Sequence, residues 1–309
     1  NSTNTTNITN IVMNNVTLIF NETIDSCERM FAELDNIIEI DLSHFDFSRV
    51  TTIEFMFRKC SNLESITFGD INTSSLINLK GTFYFCSNLA YIDLSHFNTS
   101  LINTTEGLFY NCSNLESINL TNFNITNIKT LARTFYNCSK LTYIDVSYFD
   151  TSSANNMDYL FSGCSNLLSI DLSNFNTSNV QSMKSLFYNC IQLTSIDVSN
   201  FDTSMVTDIR WLFYGCSNLS SINISNFNTS KVQLMRSFFY NCNKLTSIDL
   251  SNFDTSKVTE MGWLFYGCNN LLSVDLSNFK TSNNNNLRSF FYNCNNLTYI
   301  DISNFDTSK

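Results

Sequence analysis

The sequence predicts a repeat solenoid in which each 26-residue coil carries one short parallel β-strand and returns through turn or short helical or 3-10 segments. Three observations predict it. Ten cysteines, Cys60, Cys86, Cys112, Cys138, Cys164, Cys190, Cys216, Cys242, Cys268 and Cys294, fall 26 residues apart without insertion or deletion. Phe31, Phe57, Phe83, Phe109, Phe135, Phe161, Phe187, Phe213, Phe239, Phe265 and Phe291 keep the same step. So do the aliphatic positions three and six residues beyond the cysteine, from Ile37 and Ile40 to Leu297 and Ile300, with Val274 as the one exchange in the second series. A fixed period of this size means one small supersecondary unit stacked on its copies, none able to close a core alone. Eleven copies are visible; the first has Leu34 in the cysteine position and the last is incomplete at Lys309.

Within a copy, Leu245-Thr-Ser-Ile-Asp-Leu-Ser251 alternates apolar and polar residues as a strand with one buried face does. Leu245, Ile248 and Leu250 are expected inward and Ser247, Asp249 and Ser251 outward, the copies forming one long parallel sheet. The turn formers of Asn252 to Ser256 redirect the chain around Phe253. Val258 and Met261 face inward from the far wall, and Trp263-Leu-Phe-Tyr-Gly-Cys268 returns as a tight turn to the next strand. The unbroken register gives one repeat domain over 30–309, preceded by a sequon-rich arm or cap over 1–29. Coils about 4.8 Å apart make a rod roughly 50 Å long.

Composition excludes some partners. The net charge is -10, and the 17 Lys and Arg residues are spread thinly, so no basic stripe is expected to neutralise a nucleic-acid backbone. No apolar run reaches the 18 or more residues of a membrane span, and Asn1 opens no signal-peptide pattern, so the chain reads as a mature or trimmed product. Asparagine is abundant and proline absent, yet the apolar residues are periodic and 14% of the chain is aromatic, which argues against disorder.

The repeat text itself, L-x-S-I-D-L-S-N-F-D-T-S-K-V-T-x-M-x-x-L-F-x-G-C at Leu245 to Cys268, resembles the unit of the BspA-like leucine-rich-repeat surface proteins. The resemblance covers about residues 30–309. It implies a leucine-rich-repeat-like solenoid, secreted or displayed on a cell surface, without catalysis and engaged in adhesion or surface structure. It supplies no ligand.

Stacked cysteines sit about 4.8 Å apart with parallel side chains, whereas a disulfide needs β-carbons near 3.8 Å. The cysteine ladder is therefore expected to be free thiols filling core volume and donating weakly to backbone. Metal binding needs ligands converging on one point, which a one-dimensional column lacks. Cys27 lies off the ladder.

Seventeen N-x-S/T motifs occur. A chain this rich in Asn, Ser and Thr generates such motifs by chance, so position says more than number. Candidate N-glycosylation sites are Asn1, Asn4, Asn7, Asn15 and Asn21 in the arm, Asn72, Asn98, Asn124, Asn176 and Asn228 in one exposed repeat position, Asn119 and Asn223 on the strand face, and Asn103, Asn218 and Asn296 elsewhere. Asn111 and Asn137 precede ladder cysteines and are expected to be poor acceptors. Occupancy requires a eukaryotic type of glycosylation pathway; no other cofactor is expected.

A second rhythm of 52 residues overlies the first in Trp211 and Trp263, Arg236 and Arg288, and Gly163, Gly215 and Gly267. Duplication of a two-copy block accounts for it, and a functional cause is the alternative. The apolar stretch Ile11 to Phe20 is either a cap on the first coil or an arm that completes the open last coil of a second copy, head to tail. A gene continuing past Lys309 is a third reading.

No constellation for catalysis stands out. His44 and His96 are repeat variants of a position held elsewhere by asparagine, and the outward column Asp145, Asp171, Asp197, Asp249, Asp275 and Asp301 lacks a calcium cage. The expected function is an extracellular or cell-surface structural or adhesive scaffold, polymerising head to tail through the arm and open last coil. The alternative is a monomeric adhesin binding a host, matrix or glycan ligand through its strand face or aromatic edge.

Overall fold

The computed structural model describes residues 16–20, 22–284, 286–306 and 308. It is a solenoid of 26-residue coils stacked in parallel. Among the described residues, eight three-residue strands recur at one position of the coil: β1 (Glu39–Asp41), β2 (Ser65–Thr67), β3 (Tyr91–Asp93), β4 (Ser117–Asn119), β5 (Ser195–Asp197), β6 (Ser221–Asn223), β7 (Ser273–Asp275) and β8 (Tyr299–Asp301). The pairing is in register by whole coils, Ile40 beside Ile66, Ile92 beside Ile118, Ile196 beside Ile222 and Val274 beside Ile300.

The expected long sheet is not what forms. The strands pair two by two, in four separate ladders, and the same sequence at 143–145, 169–171 and 247–249 joins none of them. Each strand offers one inward side chain and few inter-coil hydrogen bonds, too little to hold the layers by itself. What holds them lies on the opposite wall. There a run of parallel bridges passes unbroken from Ser26 through Thr52, Asn78, Thr104, Thr130, Asn156, Ser182, Asp208 and Leu234 to Glu260. Ser26 already belongs to it, so stacking starts inside the segment expected to be an arm.

From that wall into the return segment, alternate residues hydrogen-bond to the next coil and to their own turn. The amides of Phe55, Phe57 and Lys59 donate to the carbonyls of Lys80, Thr82 and Tyr84, while those of Met56, Arg58 and Cys60 donate back to Ile53, Phe55 and Phe57. The return is a chain of turns, with no helix among the described residues. Its left-handed residues, described below, interrupt any right-handed helical run.

The interior is a set of columns. Phe57, Phe83, Phe109, Phe135, Phe161, Phe187, Phe213, Phe239 and Phe265 are fully buried or nearly so. Their rings stack almost parallel, 5.7 Å apart between Phe161 and Phe187 and between Phe187 and Phe213. A second Phe column at the turn is wider, with 6.5 Å between Phe175 and Phe201. The coils are closest at the return segment and open towards the turn and strand, in keeping with the broken strand ladders.

Threonines clamp that turn. Thr203 is buried; its hydroxyl accepts from the Asn228 amide (2.7 Å) and donates to the Asn228 carbonyl (3.0 Å). Thr151 does the same to Asn176 and Thr281 to Asp306. One hydroxyl thus satisfies both polar groups of a residue in the next coil, which would otherwise be costly to bury.

Candidate ligand-binding groove

Two residues of each return segment, four apart, take left-handed backbone. In alternate coils these are Tyr159 and Gly163, Trp211 and Gly215, Trp263 and Gly267; in the coils between they are Ser185 and Asn189, Ser237 and Asn241, Ser289 and Asn293. Asn and Gly tolerate such angles, whereas φ of 58° at Trp211 and 61° at Trp263 is rare for a bulky residue and persists only where surroundings over-determine it. The surroundings are visible. A Cβ added to Gly215 would fall 2.0 Å from the Asn189 side-chain oxygen, and one on Gly267 2.1 Å from that of Asn241. Asn189 and Asn241 therefore each need a glycine in the coil beyond, which gives the 52-residue rhythm of these coils a packing cause; Asn111 is followed instead by Asn137, whose side-chain amide donates to the Asn111 oxygen.

The same alternation builds a ladder of rings and cations. Arg133 lies over Tyr159 (5.2 Å), Lys184 lies between Tyr159 (5.4 Å) and Trp211 (5.2 Å), and Arg236 lies between Trp211 (5.9 Å) and Trp263 (4.3 Å). Arg288 closes the far face of Trp263 (5.3 Å). Serine at the intervening rungs, Ser185 and Ser237, leaves room for the cation. Near the N-terminal end, Phe55 is flanked likewise by Arg29 and Lys80. Basic residues spread thinly in sequence are thus aligned by the whole-coil register into a row, though not the uncompensated stripe that would neutralise a nucleic-acid backbone. Carboxylates share the stripe. Asp208 binds Arg210 (2.7 Å), Glu260 binds Arg236 (3.1 Å), and Asp158, its carboxyl pushed up by burial, accepts the Lys184 amide.

Beside the ladder runs a column of tyrosines. Tyr188, Tyr214, Tyr240, Tyr266 and Tyr292 stack face to face at 4.3–4.9 Å, as do Tyr84, Tyr110 and Tyr136. Ser162 replaces the ring between the two runs. With their faces closed, these rings present edges and hydroxyls. Loss of solvent pushes Tyr214 up to about 12, so its hydroxyl is neutral at physiological pH. Ladder and column enclose a groove of about 610 Å³ lined by Tyr159, Tyr188, Trp211, Tyr214, Arg236 and Trp263 among others. A second recess of about 600 Å³, with Phe55, Lys80, Tyr84 and Arg133 in its lining, opens along the same columns towards the N-terminus. The sequence carries a signal for this site, the shared 52-residue step of Trp and Arg.

The residues singled out from sequence fall as follows. Cys60 to Cys268 of the ladder are buried free thiols, and Cys294, in the last coil, is half-buried. Each donates to the carbonyl of the core phenylalanine 29 residues earlier, from Cys60 to Phe31 (2.9 Å) to Cys294 to Phe265 (3.0 Å). Burial pushes Cys60 and Cys294 up to about 11 and Cys164 and Cys216 up to about 12. The folded chain holds these protons where the unfolded chain, near 9.0, releases them. Their contribution is therefore complete below the unfolded value and lost as pH rises through the folded ones. Unfolding midpoints in urea should fall as pH is raised above about 9, and at neutral pH iodoacetamide should modify Cys294 first. Fast, uniform modification of all the thiols in the native protein would contradict this packing.

Asn1, Asn4, Asn7, Asn15 and Asn21 lie outside the described residues. Asn72, Asn98, Asn103, Asn124, Asn176, Asn223, Asn228 and Asn296 are exposed, and Asn119 and Asn218 are half-buried. In the repeat column the asparagine oxygen caps the amide two residues on, Asn98 to Ser100 and Asn176 to Ser178 (3.1 Å each). Asp202 and Asp254 make the same contact with Ser204 and Ser256. Folding alone thus accounts for N-T-S at this position: the Asn forms the turn, the Thr is the clamp, and Asp serves as well. Asn137 donates its side-chain amide to Asn111, which leaves that nitrogen engaged.

Among the described residues, no three or more His, Cys, Asp or Glu side chains gather as a metal site would require, and no helix is long and apolar enough to cross a membrane.

Comparison with known proteins places the repeat. The family described as "Mycoplasma protein of unknown function, DUF285" matches residues 25–143, 106–221 and 192–305, nearly the whole stack. The chain belongs to the DUF285 family. No curated protein matches it. Solved structures similar to this DUF285 chain include a leucine-rich cell surface protein from Faecalibacterium prausnitzii, at 18% identity over 91% of this chain and 83% of that one, with a TM-score of 0.43. A leucine-rich-repeat protein from Eubacterium ventriosum matches at 18% identity over 74% of this chain and 58% of that one, with a TM-score of 0.43. Another, from Bacteroides ovatus, matches at 19% identity over 91% and 89%, with a TM-score of 0.29. At these identities and TM-scores the likeness carries no ligand or activity across.

Proposed function

We propose that this DUF285 protein is a non-enzymatic extracellular or cell-surface scaffold that binds a partner in the groove at Tyr159, Trp211 and Trp263, and that the strand face is not its recognition surface. One observation carries the reading: rings and cations alternate along one face from Arg133 to Arg288, at a backbone conformation that costs energy and is kept coil after coil. The strand face instead shows exposed Ser195, Asp197 and Ser221, with scattered tyrosines such as Tyr91, Tyr143 and Tyr299. Aromatic residues with a few placed polar groups in a concavity are the usual make-up of a binding site.

The test is an array of glycans and matrix proteins probed with the labelled chain. Ser237→Trp fills the rung between the two indoles and has a precedent in the backbone of Trp211 and Trp263; it should abolish whatever signal the parent gives. Ser195→Tyr, on the strand face, should leave it intact. The opposite pattern would move recognition to the strands.

Head-to-tail assembly through 11–20 draws no support from the described part of that segment. Phe20 packs edge-on against Phe45 of its own first coil (5.6 Å), and exposed apolar residues in the last described coil are what any solenoid shows where its described layers stop. If the protein is made in a glycosylating secretory pathway, sugars should occupy the exposed Asn98, Asn176 and Asn228 and not Asn111 or Asn137, read by mass spectrometry of the glycopeptides.

A further inference from the structure

We infer that the groove takes a linear acidic polysaccharide with one negative charge per two sugars, lying along the stacking direction; this rests on the groove being the binding surface. The period is the first argument. Lys184, Arg236 and Arg288 recur every 52 residues, and so do the rings Tyr159, Trp211 and Trp263. Two coils at about 4.8 Å each set a step of about 9.6 Å, close to the length of a disaccharide in an extended β-linked glycan. Each step carries one cation, one ring and two tyrosines; Arg236 lines the groove itself, and Lys184 and Arg288 continue the row on either side of it. A polymer with a carboxylate on every second sugar meets the same elements at every step, and its affinity accumulates along the chain.

Charge is the second argument, because the stripe suits a sparse anion and opposes a dense one. Arg210 is held by Asp208 through both carboxylate oxygens, and Glu260 occupies one terminal nitrogen of Arg236. The Nε of Arg236 is buried and has no hydrogen-bond partner among the described residues. Arg288 faces no carboxylate at ion-pair distance among the described residues. Arg288 is thus free to take an anion and Arg236 keeps donors beyond its pair with Glu260, while Asp158, Asp208 and Glu260, and a chain of net charge -10, repel a polymer charged at every unit.

The rings supply the third argument. A single-stranded nucleic acid needs open aromatic faces on which bases stack. Here cations cover the faces of Trp211 and Trp263, and the tyrosines cover one another. Edges and hydroxyls remain, and these suit the C–H and O–H surface of a sugar. Stacking on indole also fixes the Arg236 guanidinium before the ligand arrives, which lowers the ordering cost of each hydrogen bond it makes.

Calorimetric titration of the full chain tests this with five probes: a hyaluronan decasaccharide, its carboxylate methyl ester, a neutral chitin hexasaccharide, a heparin decasaccharide and oligo-dT. The acid decasaccharide should bind, and its ester should bind at least about tenfold more weakly. Arg236→Gln and Arg288→Gln should each weaken the acid by about tenfold, Arg288→Gln without moving the urea midpoint and Arg236→Gln with a lower one, since it also gives up the pair with Glu260. Equal binding of ester and acid, tighter binding of heparin or oligo-dT, or no binding of the acid at millimolar concentration would each overturn the assignment. In any of those cases a surviving array signal that Ser237→Trp removes would leave the groove as the binding surface with a different ligand.

Discussion

Replacing Phe213 by alanine is expected to destabilise the protein by about 3–5 kcal/mol. Phe213 is wholly buried and lies at the middle of the interior column, stacked on Phe187 at 5.7 Å and on Phe239 at 5.8 Å, with the edge of Phe238 at 5.4 Å. Truncation removes contacts in three coils at once. The column cannot close over the gap, since the coils above and below are fixed by the backbone hydrogen bonds of the return segment, from Phe213 to Phe238 and from Phe187 to Leu212. Urea unfolding reads the effect as a drop in midpoint with unchanged slope. Tyr299→Ala, at an exposed position, serves as the control and should change stability by no more than about 0.5 kcal/mol. A cost below about 1 kcal/mol at Phe213 would mean that the rings do not form a tight stack.

The second large effect is expected at Gly215. Alanine there meets both a left-handed backbone, at φ 73°, and the Asn189 oxygen 2.0 Å from its Cβ. The backbone alone costs about 1–2 kcal/mol, and the clash adds about 1–3 kcal/mol more. Gly107 separates the two, because its φ is 62° but the nearest atom to an added Cβ is 3.5 Å away. Gly107→Ala should lose only the backbone part. Asn189→Gly in the Gly215→Ala background should recover the clash part and nothing more, a coupling that a double-mutant cycle isolates. Independent effects at the two sites would remove the packing cause of the two-coil rhythm.

These two experiments probe features of different legibility. The Phe column could be read from the chain because an apolar residue at a constant step has one physical explanation, burial between copies. The cysteine column was equally plain, and its chemistry followed from layer spacing. The left-handed residues could not be foreseen: Trp211, Trp263 and Tyr159 are side chains that propensity places anywhere but at positive φ, and only their neighbours hold them there. The basic stripe was hidden for a simpler reason. Lys184, Arg236 and Arg288 are far apart in sequence and unremarkable among 17 basic residues until whole-coil stacking lines them up. The strand position misled in the other direction, since S-I-D-L-S and its variants in the other copies read as sheet formers while the opposite wall carries the continuous bonding.

The central claim is that each coil is a fixed length of chain stacked in register on the next. Deleting residues 190–215 removes one whole 26-residue coil and joins Asn189 to Cys216, whereas deleting 192–215 removes 24 residues and shifts every column beyond the junction by two positions. Thermal unfolding followed by circular dichroism should show a cooperative transition for the first variant and none for the second. Equal behaviour of the two, whether both fold or both fail, would contradict the layered stack on which the groove depends.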